Sequence, residues 1–357
     1  MSQAQRGLWP RSGPAQRVCG SPSAGTAECA AWIRTDIQGS PAAASPSGYT
    51  PSDLQTAYNL LTASKGGSGI TVAIVDAFDD PNAESDLAVY RSQFGLPACT
   101  TANGCFSKVV LGRRTNTGWA EEESLDVDMV SAICPNCHIL LVEAATNSTS
   151  NLTSAEDYAL SHANIASNSW SGNESSASST DSHYQVSGKV VTAATGDSGY
   201  NSVAQWPAIL PGVIGVGGTS LTAISPRAES AWSGAGSGCS KVYAKPSFQS
   251  TINTGCAMRA EADVSAIGDP NTGVAVYDTY HEPGWLVFGG TSVATPIIAS
   301  VYALGGVNTA STLYSKASSL YDPTSGSNGN CGAPLCTAGT GWDGPTGIGT
   351  PNGTTGF

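Results

Sequence analysis

Three groups of residues have the types and spacing needed to break an acyl bond. The first is Ser292, in the run Phe288-Gly289-Gly290-Thr291-Ser292-Val293-Ala294-Thr295-Pro296. Two glycines ahead of the serine permit a tight turn and close approach of another chain, and the apolar residues after it read as the start of a helix. Pro296 is expected in the first turn or so, where backbone N–H groups lack an intrahelical acceptor. Those N–H groups and the positive helix end would favour an anion beside the Ser292 hydroxyl. The second group is Glu122 and Asp126, four residues apart between Trp119 and Val130. Spacing i, i+4 puts both carboxyls on one helix face, within reach of sharing a proton. Like charges that close raise one pKa, and such a pair serves as a base in acid. An acidic first turn complementing the helix dipole accounts for Glu121 and Glu123, but less well for the pair. The third is Asp197, in the glycine-bounded turn Gly196-Asp197-Ser198-Gly199 after the strand-like run Val190 to Ala194.

Strand patterns at Ile70 to Val75, Lys108 to Leu111, Ile139 to Val142, Ile165 to Ser167, Val190 to Ala194 and Val213 to Val216 must position these groups. They alternate with helical patterns, among them Asn82 to Phe94 with Leu87, Tyr90 and Phe94 at helical spacing. Apolar strands alternating with helices predict an α/β fold with a mostly parallel central sheet, flanked by helices in three layers. In such sheets chemistry sits at the carboxyl ends of the strands. A capped short helix is expected from Pro51 to Tyr58, and the fold proper from about Tyr49. Residues 1–48, rich in Pro, Gly, Ser and Ala without periodicity, read as an irregular extension pinned by Cys19 and Cys29. Past Gly217, Ala231 to Gly238 reads as a flexible loop, and Asp269 to Gly273 as a turn before a strand from Val274 to Tyr277. The Gly- and Pro-rich tail from Ser319 to Phe357 needs a support other than a large core.

A net charge of −12 argues against a nucleic-acid partner, which would require a basic face. An acidic surface short of Lys and Arg suits a protein working in acid, where carboxylates lose charge and cease to repel. No stretch of about 18 apolar residues exists, so no membrane span is expected. The ten cysteines fall into close pairs: Cys19/Cys29, Cys99/Cys105, Cys134/Cys137, Cys239/Cys256 and Cys331/Cys336. Local pairs in even number predict five short-loop disulfides and an oxidising compartment, with metal clusters or free thiols as the alternative. Met1 to Val18 contains no run resembling a signal peptide.

Two motif matches are declined. Gly196-Asp197-Ser198-Gly199 also surrounds the nucleophile of chymotrypsin-like proteases, but those are antiparallel barrels, and none of His138, His162, His183 and His281 has the setting they require. Cys134-Pro135-Asn136-Cys137-His138 formally matches a haem-attachment pattern, yet it joins a helix directly to a strand, where a local disulfide fits better.

Taken together, four motifs between Tyr49 and Phe357 resemble the sedolisin family of serine-carboxyl peptidases, which share the subtilisin fold. They are Glu122-Glu123-Ser124-Leu125-Asp126; Ser167-Asn168-Ser169-Trp170-Ser171-Gly172, with one extra serine before the glycine; Thr195-Gly196-Asp197-Ser198-Gly199; and Gly290 to Pro296. The resemblance implies residues 49–357 as a sedolisin-like peptidase domain. It implies Ser292 as nucleophile, Glu122 as general base, Asp126 orienting Glu122, and Asp197 lining the oxyanion hole. A carboxylate can activate a serine if its pKa matches an acidic working pH, and Asp197 can donate to an oxyanion only when protonated. Asp76 resembles subtilisin's aspartate by location but reads as structural, because the accompanying histidine is missing. The family also binds one structural Ca2+, which maps here to the side chains of Asp322 and Asp343 and the backbone oxygens of Pro323, Gly339 and Gly341. The implied protein is a secreted monomeric endopeptidase acting in acid on protein or peptide substrates. Relatives usually carry a long amino-terminal pro-domain, which 48 residues cannot make. A non-catalytic scaffold or binding protein keeping the fold is the rival reading. A subtilisin-like enzyme using Asp76 and a distant histidine is the third.

Overall fold

Runs of Val, Ile, Leu and Ala too apolar to face water on either side build the centre of the molecule. The computed structural model describes residues 13–37, 46–175, 179–306 and 309–357. The chain opens with strands β1 (Ala15–Arg17), β2 (Glu28–Cys29) and β3 (Trp32–Arg34) and helix α1 (Pro51–Ala57). Then follow β4 (Thr71–Ala77), α2 (Ala83–Gln93), β5 (Phe106–Val110), α3 (Thr117–Ile133), β6 (His138–Ala144), α4 (Thr149–His162), β7 (Ile165–Asn168), β8 (Trp170–Asn173) and β9 (Val190–Ala194). The second half holds β10 (Gln205–Trp206), β11 (Ile214–Ile224), β12 (Arg227–Ala231), β13 (Val264–Ile267), β14 (Val274–Asp278), β15 (Gly284–Gly289), α5 (Thr291–Gly305) and α6 (Ala310–Ser315).

Eight strands form the main sheet in the order β12-β11-β9-β7-β4-β6-β5, with β13 also beside β11. All its pairs are parallel except β11 with β12. Helices α3 and α5 pack on each other and on the sheet, α1 and α2 join α3, and α4 lies on β4 and β6. This is the expected subtilisin-like α/β arrangement, and its strands are apolar without alternation because helices cover both faces. β4 is buried from Val72 to Ala77. The predicted helix over 82–94 is α2, and the predicted strands appear within a few residues, β11 running on to Ile224.

Helix α3 positions the acid pair. Asn116 caps it, its side chain accepting from Trp119 N at 3.1 Å. Every residue from Trp119 to Ile133 is buried, not merely one stripe. Glu122 and Asp126 therefore have no water-facing side to turn to. All five expected disulfides are formed. The Gly- and Pro-rich tail is tied to the β13 region by backbone bonds, Ile348 N to Asp263 O (2.9 Å) and Ser265 N to Gly349 O (2.9 Å), and by Trp342 Nε1 donating to Ala262 O (2.9 Å).

Three expectations are corrected. The described part of residues 1–48 is not irregular throughout: β2 pairs with β8, and β3 lies between β1 and β15. Strands of two and three residues carry no periodicity of their own, and the partners that join β2 and β3 to the rest of the fold, β8 and β15, lie more than a hundred residues away. The loop read as flexible is pinned: Gly236 N donates to Gly196 O at 2.7 Å, Gly199 N to Gly234 O at 2.9 Å and Trp232 N to Gly218 O at 3.1 Å. Pro296 stands sixth in α5, beyond the first turn. Its missing N–H leaves Ser292 O without the usual i+4 donor, and the Ser169 hydroxyl lies 3.4 Å from that oxygen instead.

A methyl group on Gly236 would come within 1.8 Å of Thr195 O, a backbone atom that leads into the Asp197 turn. Gly236→Ala is expected to destabilise the fold by about 1–3 kcal/mol through this overpacking. Thermal unfolding reads the loss, and an unchanged midpoint would show that the turn yields freely.

Candidate active site

Ser292 is the second residue of α5 and is fully buried. The helix starts there because Gly290, with φ of 105°, turns the chain out of β15. A side chain at Gly290 is excluded twice over: besides the positive φ, its Cβ would lie 2.1 Å from Ala30 O and 2.8 Å from Asp197 Oδ2. Those two oxygens thus border one small space beside the Ser292 backbone. The Ser292 N–H donates into it, to Ala30 O at 2.9 Å. Its hydroxyl donates to Ser169 O at 2.8 Å.

Glu122 and Asp126 face this serine from α3. Neither oxygen of Glu122 completes a hydrogen bond among the described residues, since the nearby hydroxyl is committed to Ser169. Burial raises the Glu122 pKa first, then the charges of Asp126 and Asp76, while the Ser292 hydroxyl is near enough to pull it back down. Asp126 is raised by burial and by Asp76; the Ser169 hydroxyl, 2.8 Å from its Oδ1, and Glu122 favour its ionised form. Two interacting buried carboxyls share their protons, so the pair titrates as a unit. It holds a proton more readily than either acid would in water.

Asp197 closes the third side, beyond the carboxyl end of β9. Its Oδ1 accepts from Thr291 N and Thr291 Oγ1, both at 2.8 Å, and its Oδ2 has no partner among the described residues. Burial pushes this carboxyl up to about 7, against the Thr291 bonds and Arg17. In acid Oδ2 therefore carries a proton and is a donor aimed at the space that Ala30 O borders. The structure thus brings Ser292, Glu122, Asp126 and Asp197 together where the strands of a parallel sheet end, the place such sheets offer for chemistry. A polar cavity of about 10 Å³, room for about one water, adjoins Asp197 and is lined by Ser171, Thr195, Gln205 and Glu261, with Glu28 in its wall.

Sequence reasoning missed two contributors. Asp76, read as structural, is buried with no hydrogen bond to either oxygen among the described residues, and its charge acts on Glu122, Glu123 and Asp126. Its place at the end of a strand was a signal. Ser169, which touches both the serine and the acid pair, lay in a quoted motif, but nothing in the sequence tells which way its hydroxyl points.

The candidate calcium residues also converge. Asp322 Oδ2 accepts from Gly341 N (2.8 Å), and Asp343 Oδ2 from Gly339 N (3.1 Å). Asp343 is pushed up to about 6, mainly by burial and in part by the charge of Asp322. Among the described residues no group of three or more His, Cys, Asp or Glu side chains converges on a metal position. Two carboxylates with the carbonyls of Pro323, Gly339 and Gly341, which accept no hydrogen bond among the described residues, nonetheless fit the oxygen-only set a hard cation takes.

A profile of the subtilase family of peptidases matches residues 108–309. The chain is similar to kumamolisin of Bacillus sp. (strain MN-32), 29% identical over 87% of this chain and 63% of that protein. It is also similar to sedolisin of Pseudomonas sp. (strain 101), 27% identical over 87% of this chain and 60% of that one. It thus spans about three fifths of the length of these relatives. Among solved structures, Pseudomonas sedolisin, a serine-carboxyl proteinase complexed with two molecules of pseudo-iodotyrostatin, superposes with a TM-score of 0.73 at 25% identity, covering 86% of this chain and 96% of that one. A lanthipeptide protease shares the fold, with a TM-score of 0.56 at 16% identity over 86% of this chain and 92% of that one.

The pKa shifts fix how stability must follow pH. Asp197 binds its proton up to about 7 in the fold, whereas an unfolded aspartate releases it near about 4. Between those values the native state holds the extra proton, so stability falls as pH rises. Glu143, pushed up to about 7, and Glu156 and Glu261, each to about 8, act in the same direction, all mainly through burial. The unfolding temperature is expected to fall between about pH 4 and pH 8, less steeply in Asp197→Asn. A midpoint that climbs over that interval would contradict this electrostatic account.

Proposed function

The chain belongs to the subtilase family, among its sedolisins, and from that premise we propose that it is an acid-acting serine-carboxyl endopeptidase. The observation that carries the reading is the meeting of Ser292, the Glu122–Asp126 pair and Asp197 around one buried space. In the proposed mechanism the Ser292 hydroxyl swings from Ser169 O to Glu122, which takes its proton as Oγ attacks a peptide carbonyl. Asp126 orients Glu122 and shares the charge. The developing oxyanion receives the Ser292 N–H and the protonated Oδ2 of Asp197. Glu122 then returns the proton to the leaving amine, and water releases the acyl group by the same steps in reverse. The two walls of the site make opposite demands on pH: Asp197 must stay protonated to donate, which low pH secures, whereas Glu122 must be ionised when it takes the proton, which sets the acid limit.

An endopeptidase is favoured over an exopeptidase because backbone passes on both sides of Ser292, paired with β8 on one side and β15 on the other. The disulfides support a secreted protein, and all four site groups come from one chain, as a monomer requires. No helix among the described residues is long and apolar enough to cross a membrane. We assign Ca2+ to Asp322, Asp343 and the carbonyls of Pro323, Gly339 and Gly341, where its charge would offset the repulsion between the two aspartates and fasten the tail.

Hydrolysis of denatured protein is expected at acidic pH and to fade towards neutrality. Ser292→Ala and Glu122→Gln should each lower kcat by about 10³-fold or more, not additively, and full activity in either would refute the assignment. Asp197→Ala should cost about 10²–10³ in kcat, whereas Asp197→Asn, a donor at any pH, should move the alkaline limb of the profile upward. For the metal, chelation should lower the unfolding temperature of the wild type but not of Asp322→Asn; equal shifts in both would argue against this site.

A further inference from the structure

The polar cavity beside Asp197 has an unused acid in its wall. Glu261 is 1% exposed; its Oε1 accepts from Gln205 N at 2.9 Å, and its Oε2 has no partner among the described residues. A methyl group on Gly238 would lie 3.2 Å from that oxygen, and one on Gly196 would lie 3.3 Å from Ser171 Oγ and 3.4 Å from Gln205 Cγ. Two glycines thus stand where side chains would crowd the space. With Glu28 also in its wall the cavity measures about 10 Å³, room for about one water. It can admit the end of one unbranched side chain but not a ring.

A peptide whose carbonyl meets the Ser292 N–H and Asp197 Oδ2 would run on its acyl side along β8, the edge at which Ser171 pairs with Glu28. Side chains two apart on an extended segment turn to one face. The cavity that Glu28 borders therefore lies on the face to which the side chain of the attacked residue also turns.

Charge narrows what can enter. Burial pushes Glu261 up to about 8, helped by Glu174 and opposed by the Gln205 N–H and Arg259. In acid it is uncharged, and because Oε1 is committed as an acceptor its proton belongs on Oε2, a donor with nothing to receive it. Asp197, pushed up to about 7, is uncharged there too. Two cations border this region. Arg17 stands at the mouth, donating to Asp197 O (3.0 Å) and Ser198 Oγ (2.9 Å), and Arg259 is held by Asp263 at 2.6 and 2.8 Å. Both disfavour a cationic side chain.

We propose that this cavity selects the substrate: it receives the side chain of the residue whose carbonyl Ser292 attacks, and Glu261 makes it prefer an uncharged, unbranched chain ending in a hydrogen-bond acceptor, glutamine above all. The proposal rests on the peptidase reading of the same site. A glutamine carbonyl accepts from Glu261 Oε2. Methionine, similar in length, has only a weak thioether acceptor and leaves that buried donor unsatisfied, which costs binding. Lysine brings a charge towards Arg17 and Arg259.

The test compares kcat/KM in acid for quenched-fluorescent peptides that differ only at the attacked residue, Gln, Met or Lys, with the bond cut confirmed by mass spectrometry. Wild type should favour the Gln peptide by about ten-fold or more over each of the others. Glu261→Gln, whose amide keeps a donor, should retain the preference for Gln over Met, whereas Glu261→Met should bring that ratio to about one. Unfolding midpoints check that both variants are folded; if Glu261→Met is not, the wild-type series and Glu261→Gln decide. A smaller ratio in wild type, a Lys peptide cut as fast as the Gln one, loss of the preference in folded Glu261→Gln or its survival in folded Glu261→Met overturns the proposal and leaves the peptidase reading standing. No hydrolysis of any peptide at any pH overturns both.

Discussion

Removing carboxyl groups from water is the constraint on which the rest of this structure depends. An ionised carboxylate loses several kcal/mol of hydration when buried, and only a close countercharge or a full set of donors offsets that loss. Here Asp76, Glu122, Glu123 and Asp126 are wholly buried around α3 and β4, and burial is the first cause of the upward shift at each. Lys108 reaches this region, 2.6 Å from Asp79 and 2.7 Å from Glu143, but it is one cation against many acids. The acids are kept mainly by holding protons, which ties the fold and the chemistry to the same pH range.

That constraint explains why a carboxyl pair can stand where an imidazole would serve at neutral pH. A carboxylate in water is too weak a base to take a proton from a serine hydroxyl; one moved into an apolar, acid-lined site is stronger. The same burial turns Asp197 from an acceptor into a donor. One physical effect therefore sets base strength at one wall of the site and hydrogen-bond polarity at another. The parallel sheet makes the burial feasible by placing α3, α5 and the β9 turn around a single point.

The amino-terminal segment is governed by the same place. Backbone donors and acceptors around Ser292, from Ser169, Asn147 and Ser171, would be left open to water by an empty cleft, and residues 26–30 satisfy them. A disulfide between Cys19 and Cys29 keeps that strand extended and in register. Chain order and spatial order are thus decoupled: residues near the start of the sequence sit over a serine near its end.

The sequence alone determined the main parallel strands, the helices beside them and the site residues that meet. Apolar runs alternating with helical periodicity require a covered parallel sheet, and an i, i+4 acid pair, a glycine-flanked serine and an aspartate after a strand are local patterns that survive without coordinates. Cysteines a few residues apart announced their partners, because short loops leave few alternatives. What tertiary structure decided were the relations between distant segments. No local pattern marks β2 or β3 as strands, shows that the loop at Gly236 is pinned, turns the Ser169 hydroxyl towards Asp126, or brings Asp76 to bear on Glu122. Pairing partners more than a hundred residues apart, and the depth at which a charge is buried, are properties of the packed chain; only the fold fixes which carboxyls lose their water and so which keep their protons.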